Sequence, residues 1–174
     1  MNINIIVALC NNNGIGFNNS LPWKFKRDMK YFSVMTKMKL NKYEKNAIIM
    51  GRKTWESIPK KPLSERFNII ISNTLNIDEE NAKSFKNIED SIQYCIDNDF
   101  NNLWVIGGVS IYKYFIDNKI VNYIYVTEIK EHYECDTFFP IIMDRSEDYI
   151  LDTKYTMIER ENNTNLIFKC YKSK

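Results

Sequence analysis

Six short apolar runs, rich in β-branched residues, recur along the chain at residues 3–10, 47–50, 67–72, 103–106, 121–129 and 166–171. Runs of this length and composition predict β-strands. Between several of them the apolar residues return at helical spacing: over 25–38, over a short segment after Gly51, over 88–96 and over 109–116. Strand alternating with helix predicts an α/β sheet, largely parallel in its first part. After about Val121 the helical pattern stops, so the remaining strands are expected to join by hairpins or antiparallel pairing. No Pro-, Gly- or Ser-rich linker and no internal repeat divides the sequence, and residues 1–174 are read as one domain.

Two strand–helix boundaries share a layout. Ala47-Ile48-Ile49-Met50-Gly51-Arg52-Lys53-Thr54-Trp55 and Leu103-Trp104-Val105-Ile106-Gly107-Gly108-Val109-Ser110-Ile111-Tyr112 each pass from an apolar strand through glycine into a helix start. A helix N-terminus presents free N–H groups and positive partial charge, and glycine lets the backbone approach an anion closely. Two such boundaries in one small chain point to a ligand with more than one phosphate, and a dinucleotide is the natural candidate.

Composition narrows the field mainly by exclusion. Hydrophobic residues form 44% of the 174 and charged residues 26%, ordinary values for a globular protein with a sizeable core. A net charge of +2 gives no reason to expect a nucleic-acid or membrane partner. No stretch is apolar for long enough to span a bilayer, and the run ending at Cys10 is too short for a signal core, so a cytoplasmic location is expected. Cys10, Cys95, Cys135 and Cys170 are widely spaced without a C-x-x-C, and His132 is the only histidine. No metal site is therefore expected, and the cysteines are read as free thiols in preference to a disulfide.

The segment from Asn11 to Trp23 carries Gly14 and Gly16 and closes with Leu21-Pro22-Trp23. It follows the first strand and precedes the first helix, where such sheets place binding loops, and we read it as a lid. On that helix, Phe25, Met29, Phe32 and Met35 form an apolar arc at about 100° per residue. Asp28 falls inside the arc, between Met35 and Phe32, while Lys26, Arg27, Lys30 and Lys37 lie outside it. A carboxylate there has three readings. Desolvation would raise its pKa and suit proton handling; two adjacent N–H donors of an amidine-like heterocycle would match it; or it simply favours the helix dipole. Ser57 and Ser110 have no evident acid–base partner, which argues against a hydrolase triad and leaves the chemistry to a cofactor.

In order along the chain, these residues resemble the dihydrofolate reductase family. The motifs are Ile6-Val7-Ala8, Gly14-Ile15-Gly16 ahead of Leu21-Pro22-Trp23, and Asp28-Met29 with Phe32. Ile49-Met50-Gly51-Arg52-Lys53-Thr54-Trp55-Glu56-Ser57-Ile58-Pro59 follows, then Pro62-Leu63-Ser64-Glu65-Arg66, Val105-Ile106-Gly107-Gly108, Tyr125-Val126-Thr127 and Asp136-Thr137-Phe138-Phe139-Pro140. The resemblance implies a single-domain fold. Its mixed central sheet has about eight strands, mostly parallel with an antiparallel C-terminal strand, flanked by about four helices. It also implies NADPH-dependent reduction of 7,8-dihydrofolate to tetrahydrofolate, in support of one-carbon metabolism and thymidylate synthesis. The implied ligands include antifolate inhibitors, and the implied state is a monomer unless fused to or associated with thymidylate synthase.

The same resemblance implies roles for individual residues. Asp28 would bind the pterin 2-amino group and N3 and assist protonation at N5 through water, with Thr127 in support and Leu21 completing the catalytic set. Ile6, Val7, Met29, Phe32, Ile58, Leu63 and Ile106 would wall the pterin and benzoyl groups, and Arg66 would hold the α-carboxylate of the substrate's glutamate. Ala8, Ile15, Gly16 and Leu21 would enclose the nicotinamide. Gly107-Gly108, joined by a cis peptide in the family, would pass close to the nicotinamide and pyrophosphate, with Ile106 beside them and Val109, Ser110, Ile111 and Tyr112 continuing the wall. Gly51, Arg52, Lys53 and Thr54 would meet phosphates. Ser72, Asn73 and Lys86 would lie near the 2′-phosphate. Many relatives have arginine where this chain has Asn73. Unless Lys86 and Lys53 compensate, NADPH preference would be weaker than the family norm; NADPH is still expected to be preferred because Arg52 and Lys53 remain.

Two rivals are distinguishable. A related reductase acting on a phosphoribosyl pyrimidine would share the Gly-Gly boundary but need neither Asp28 nor Arg66. A nucleic-acid-binding protein would use Lys24, Lys26, Arg27 and Lys30, which read better as the solvated face of a helix.

Overall fold

In the computed structural model, which describes residues 1–174, every apolar run is a strand and every helical pattern a helix. The order is β1 (Asn2–Cys10), β2 (Gly14–Gly16), α1 (Lys26–Lys37), β3 (Asn46–Gly51), α2 (Arg52–Ser57), β4 (Phe67–Ile71), β5 (Asp78–Glu79), β6 (Ala82–Phe85) and α3 (Ile88–Asp97). It continues with β7 (Asn102–Gly107), α4 (Val109–Asp117), β8 (Tyr123–Ile129), β9 (Thr137–Phe138), β10 (Tyr149–Leu151), β11 (Met157–Glu161) and β12 (Thr164–Ser173).

One sheet runs β10-β12-β8-β1-β7-β3-β4-β6-β5, with β11 paired to β12. The five pairings from β8 to β6 are parallel. Those of β12 with β8, β10 and β11 are antiparallel, as expected once the helices end. The sheet has ten strands where about eight were expected. The strands that no apolar run announces are short: β5 is wholly polar, β6 and β11 are mixed, and β10 is only three residues long. β2 lies inside the 11–23 segment and pairs with β9 as a separate ribbon.

The central strands read as continuous apolar runs because both faces are covered. Ile5, Ala47, Ile49, Ile69, Leu103 and Val105 face the layer that holds Ile88 and Cys95 of α3 and Ile111 and Phe115 of α4. Their neighbours Ile6, Ile48, Met50, Ile70 and Trp104 face Trp55 and the α1 residues Tyr31, Phe32 and Met35. The period of two is thus split between two cores. Since β1, β3 and β7 are parallel, their C-terminal ends meet at one edge, where Cys10, Gly51 and Gly107 leave the sheet together.

Helix α1 lacks a side-chain cap of its own: Phe25 stands at the N-cap. Glu161 of β11 supplies the acceptors instead, taking the backbone N–H of Lys26 at 3.0 Å and of Arg27 at 2.9 Å. The hairpin of β11 and β12 therefore fixes the first turn of the helix that carries Asp28.

Candidate active site

A cavity of about 1040 Å³ opens at this edge of the sheet. Ile6, Val7 and Ala8 of β1 form its floor with Thr127 of β8; Asp28, Met29 and Phe32 of α1 form one wall, extended by Ile58 and Leu63. The opposite wall is Gly51, Arg52, Lys53 and Thr54, then Ile106, Gly107, Gly108, Val109, Ser110, Ile111 and Tyr112. Ile15, Gly16 and Leu21 line the mouth from the 11–23 segment.

Asp28 is the only charged residue buried on α1. Burial pushes its carboxyl up to about 6, opposed by a hydrogen bond from Thr127 and reinforced by the charge of Glu161. Its exposure is 8%, whereas Met29, on the same expected arc, is 53% exposed. The arc therefore does not pack wholly into a core: Met29 and Phe32 face the open cavity, which their apolar character alone does not reveal. Trp23 also lines the cavity, and its buried indole N–H has no acceptor in the protein. His132 is exposed, away from these groups.

The two glycine boundaries adjoin. A Cβ on Gly51 would lie 3.8 Å from the backbone nitrogen of Gly108. The Gly107-Gly108 peptide is cis. Gly107 has φ +135°, a conformation that favours glycine, and a Cβ there would stand 3.2 Å from Thr54 Oγ1. Tyr112, buried under this junction, donates from its hydroxyl to the Ile6 carbonyl at 3.0 Å and ties α4 to β1. Helix α4 begins at Val109 with no side-chain cap. Bare glycine backbone, a helix start and the cations Arg52 and Lys53 on one wall fit a dinucleotide with phosphates.

Four expected site residues lie outside the cavity lining. Arg66 is buried beyond Leu63 and Phe32: its Nε donates to the Ser64 carbonyl at 2.9 Å, its Nη1 to Thr36 Oγ1 at 2.8 Å, and its guanidinium lies 5.9 Å from the Phe32 ring centre. Burial lowers its pKa. Ser72 turns its hydroxyl to the backbone N–H groups of Thr74 and Leu75, at 3.1 and 3.0 Å. Asn73 and Lys86 are exposed just past the C-terminal ends of β4 and β6. Conversely, Ser57, Lys60 and Thr137 line the cavity although no ligand role was expected of them. Ser57 and Thr137 were legible only as members of the motifs at residues 49–59 and 136–140; Lys60 carries no pattern of its own.

No helix is long and apolar enough to cross a membrane. A family profile described as dihydrofolate reductase matches residues 2–173. The dihydrofolate reductase of Heliothis virescens is 38% identical over 98% of this chain and 96% of its own length. That of Drosophila melanogaster is 34% identical over 97% and 96%. A bifunctional dihydrofolate reductase-thymidylate synthase of Daucus carota is 36% identical over 79% of this chain and 28% of its own.

Proposed function

The chain belongs to the dihydrofolate reductase family, and from that premise we propose that it reduces 7,8-dihydrofolate to tetrahydrofolate with NADPH as the hydride source. One observation carries the reading: a single buried carboxylate, Asp28, shares a cavity with two adjoining glycine boundaries. When held at the glycine boundaries, NADPH would supply the hydride that the reduction needs. The protein's own residues do the rest by holding and shielding the reactants.

Asp28 accepts from the 2-amino group and N3 of the pterin, a donor pair that a carboxylate matches geometrically. With its carboxyl raised to about 6, it changes charge near neutrality and holds a proton available for N5 through water. The Thr127 hydroxyl orients that carboxylate, and the unpaired indole N–H of Trp23 suits the bridging water. Ile6, Val7, Phe32, Ile58 and Leu63 enclose the apolar body of the substrate, while Arg66 behind them meets the glutamate α-carboxylate. Gly107 and Gly108 admit the reacting ring and pyrophosphate, and Arg52 and Lys53 meet the phosphate end. The 11–23 segment, with Ile15, Gly16 and Leu21, acts as the lid that excludes water.

The absorbance of NADPH tests this directly. Dihydrofolate-dependent oxidation that methotrexate blocks is the expected result. No oxidation with dihydrofolate, together with turnover of a phosphoribosyl pyrimidine, would overturn it in favour of the related reductase.

A further inference from the structure

Cys10 ends β1 and Cys135 lies just before β9, yet their Sγ atoms are 3.7 Å apart. Both stand at the base of the 11–23 segment. Cys10 is buried and Cys135 half-buried, so only the second is open to a reagent from solvent. Asn12 straps the pair from one side: its Oδ1 accepts from the Cys10 thiol at 2.8 Å, and its Nδ2 donates to the Tyr133 carbonyl at 3.2 Å. Gly14 leaves room from the other. Its φ is not positive, so the backbone does not demand glycine, but a Cβ there would run into the Cys135 sulfur. A larger residue at position 14 would displace the Cys135 side chain.

We propose that Cys10 and Cys135 form a dithiol site that a low-molecular-weight disulfide, such as oxidised glutathione, converts to an intramolecular disulfide. The thiolate of Cys135 attacks one sulfur of the small disulfide, giving a mixed disulfide and releasing one small thiol. The Cys10 sulfur, after giving up its proton to solvent, attacks the Cys135 sulfur and releases the second small thiol. Two protein thiols are oxidised and one small disulfide is reduced to two thiols, so electrons and protons balance. Burial, with Cys10 and Asp136 alongside, pushes the Cys135 thiol up to about 11, which makes the first step slow. The short distance between the sulfurs then favours closure over accumulation of the mixed disulfide.

A disulfide needs its sulfurs about 2.05 Å apart, so closure shortens their 3.7 Å separation by roughly 1.7 Å. It also takes from Asn12 the thiol proton it accepts. The Asp136 N–H donates to the Gly16 carbonyl at 3.1 Å, and the Asn18 N–H donates to Asp136 Oδ2 at 2.9 Å. Movement at Cys135 is therefore passed to Gly16, which lines the cavity mouth. The linked form should turn over at least fivefold more slowly, an effect that rests on the proposed reductase activity; formation of the link itself does not.

The test incubates the whole protein with oxidised glutathione, quenches by acid, alkylates and maps peptides by mass. The expected result is loss of two of the four thiols, one linked peptide pair joining Cys10 to Cys135, no link in Cys135→Ser, and reversal by dithiothreitol. A stable glutathione adduct on Cys135, a link through Cys95 or Cys170, or four unmodified thiols would each overturn the site. Full linkage with unchanged NADPH oxidation would overturn its coupling to the cavity. A protein that never oxidises NADPH but forms the link would instead count against the reductase reading alone.

Discussion

Arg52 Nη1 reaches both carboxylate oxygens of Glu56, one helical turn on, at 2.8 and 3.1 Å. The cation at the first glycine boundary, beside Gly51, is therefore shared with an acid. Both side chains are more than 40% exposed, so the pair itself adds little to stability and is easily exchanged for a phosphate. Glu56→Gln removes the competitor without altering the helix. The NADPH KM is expected to fall about twofold to fivefold while the NADH KM stays constant, since the gain comes only from a charge-assisted contact. Arg52→Ala should raise the NADPH KM about tenfold. Steady-state kinetics with both cofactors check this; equal changes for NADPH and NADH would show that Arg52 does not meet the extra phosphate.

Asp28→Asn keeps the shape of the side chain and removes its charge. With dihydrofolate, kcat/KM near neutral pH is expected to fall by about two to four orders of magnitude, the usual contribution of a positioned acid–base group. NADPH affinity should change little. In the unsubstituted protein kcat/KM should decline as pH rises through about 6, where Asp28 loses its proton. That inflection should vanish in Asp28→Asn. Near-full activity of the variant would remove Asp28 from the mechanism.

Asp28 was legible in the sequence because a single charge interrupts an apolar helical arc, and burial is the physical consequence. Met29 shows the limit of the same reasoning. An apolar side chain facing a ligand cavity and one facing a core have the same period, and only the fold separates them. Gly51 and Gly107-Gly108 could be paired from sequence because each lies between a strand and a helix start. That their strands are direct neighbours depended on β3 pairing with β7, which no local pattern encodes. Ser72 shows a second limit: its hydroxyl caps a local turn, an arrangement visible only in three dimensions. The short strands β5 and β6 were silent because two and four residues, polar or mixed, make no apolar run, and their pairing is carried by the backbone.

Stability should carry the same mark of Asp28 in the ligand-free protein. Its folded pKa, about 6, lies above the value of 3.8 for a free aspartate. The folded state thus favours the protonated form, and the associated stability is fully present below about pH 4 and lost as pH rises through 6. At pH 7.5, Asp28→Asn is expected to be more stable than the parent, by at most about 3 kcal/mol. The difference should shrink towards pH 4. Urea denaturation at the two pH values checks it, and a pH-independent difference would show that the carboxyl is not desolvated.

Arg66 spends two nitrogens on Ser64 and Thr36, which fixes the plane of its guanidinium beside the substrate wall. Arg66→Leu should raise the KM for dihydrofolate by about tenfold to a hundredfold, the value of a lost charge-assisted pair, while leaving the NADPH KM within about twofold. Arg66→Lys should recover only part of the loss, because an ammonium lacks the planar fork. Equal effects on both ligands would mean that Arg66 acts by holding Thr36 and the end of α1.

The two glycines of the second boundary should respond differently to the same substitution. At Gly107 the backbone φ of +135° is unfavourable for any L-residue, and the added Cβ would also crowd Thr54 at 3.2 Å. Gly107→Ala is therefore expected to destabilise the ligand-free protein by about 1–3 kcal/mol. Thr54→Ala should not restore it, since relieving the contact leaves the backbone conformation unchanged. At Gly108, φ is −81° and the nearest atom to an added Cβ is Thr54 Oγ1 at 3.7 Å, an ordinary contact. Gly108→Ala should then leave thermal stability within about 0.5 kcal/mol of the parent, as for substitutions that meet no strain or burial. What the methyl group would occupy is the cavity itself, so NADPH affinity should fall about tenfold or more while folding is untouched. Thermal denaturation and cofactor titration on the two variants separate these effects. Unimpaired cofactor binding by Gly108→Ala would mean that the dinucleotide does not pass over this peptide.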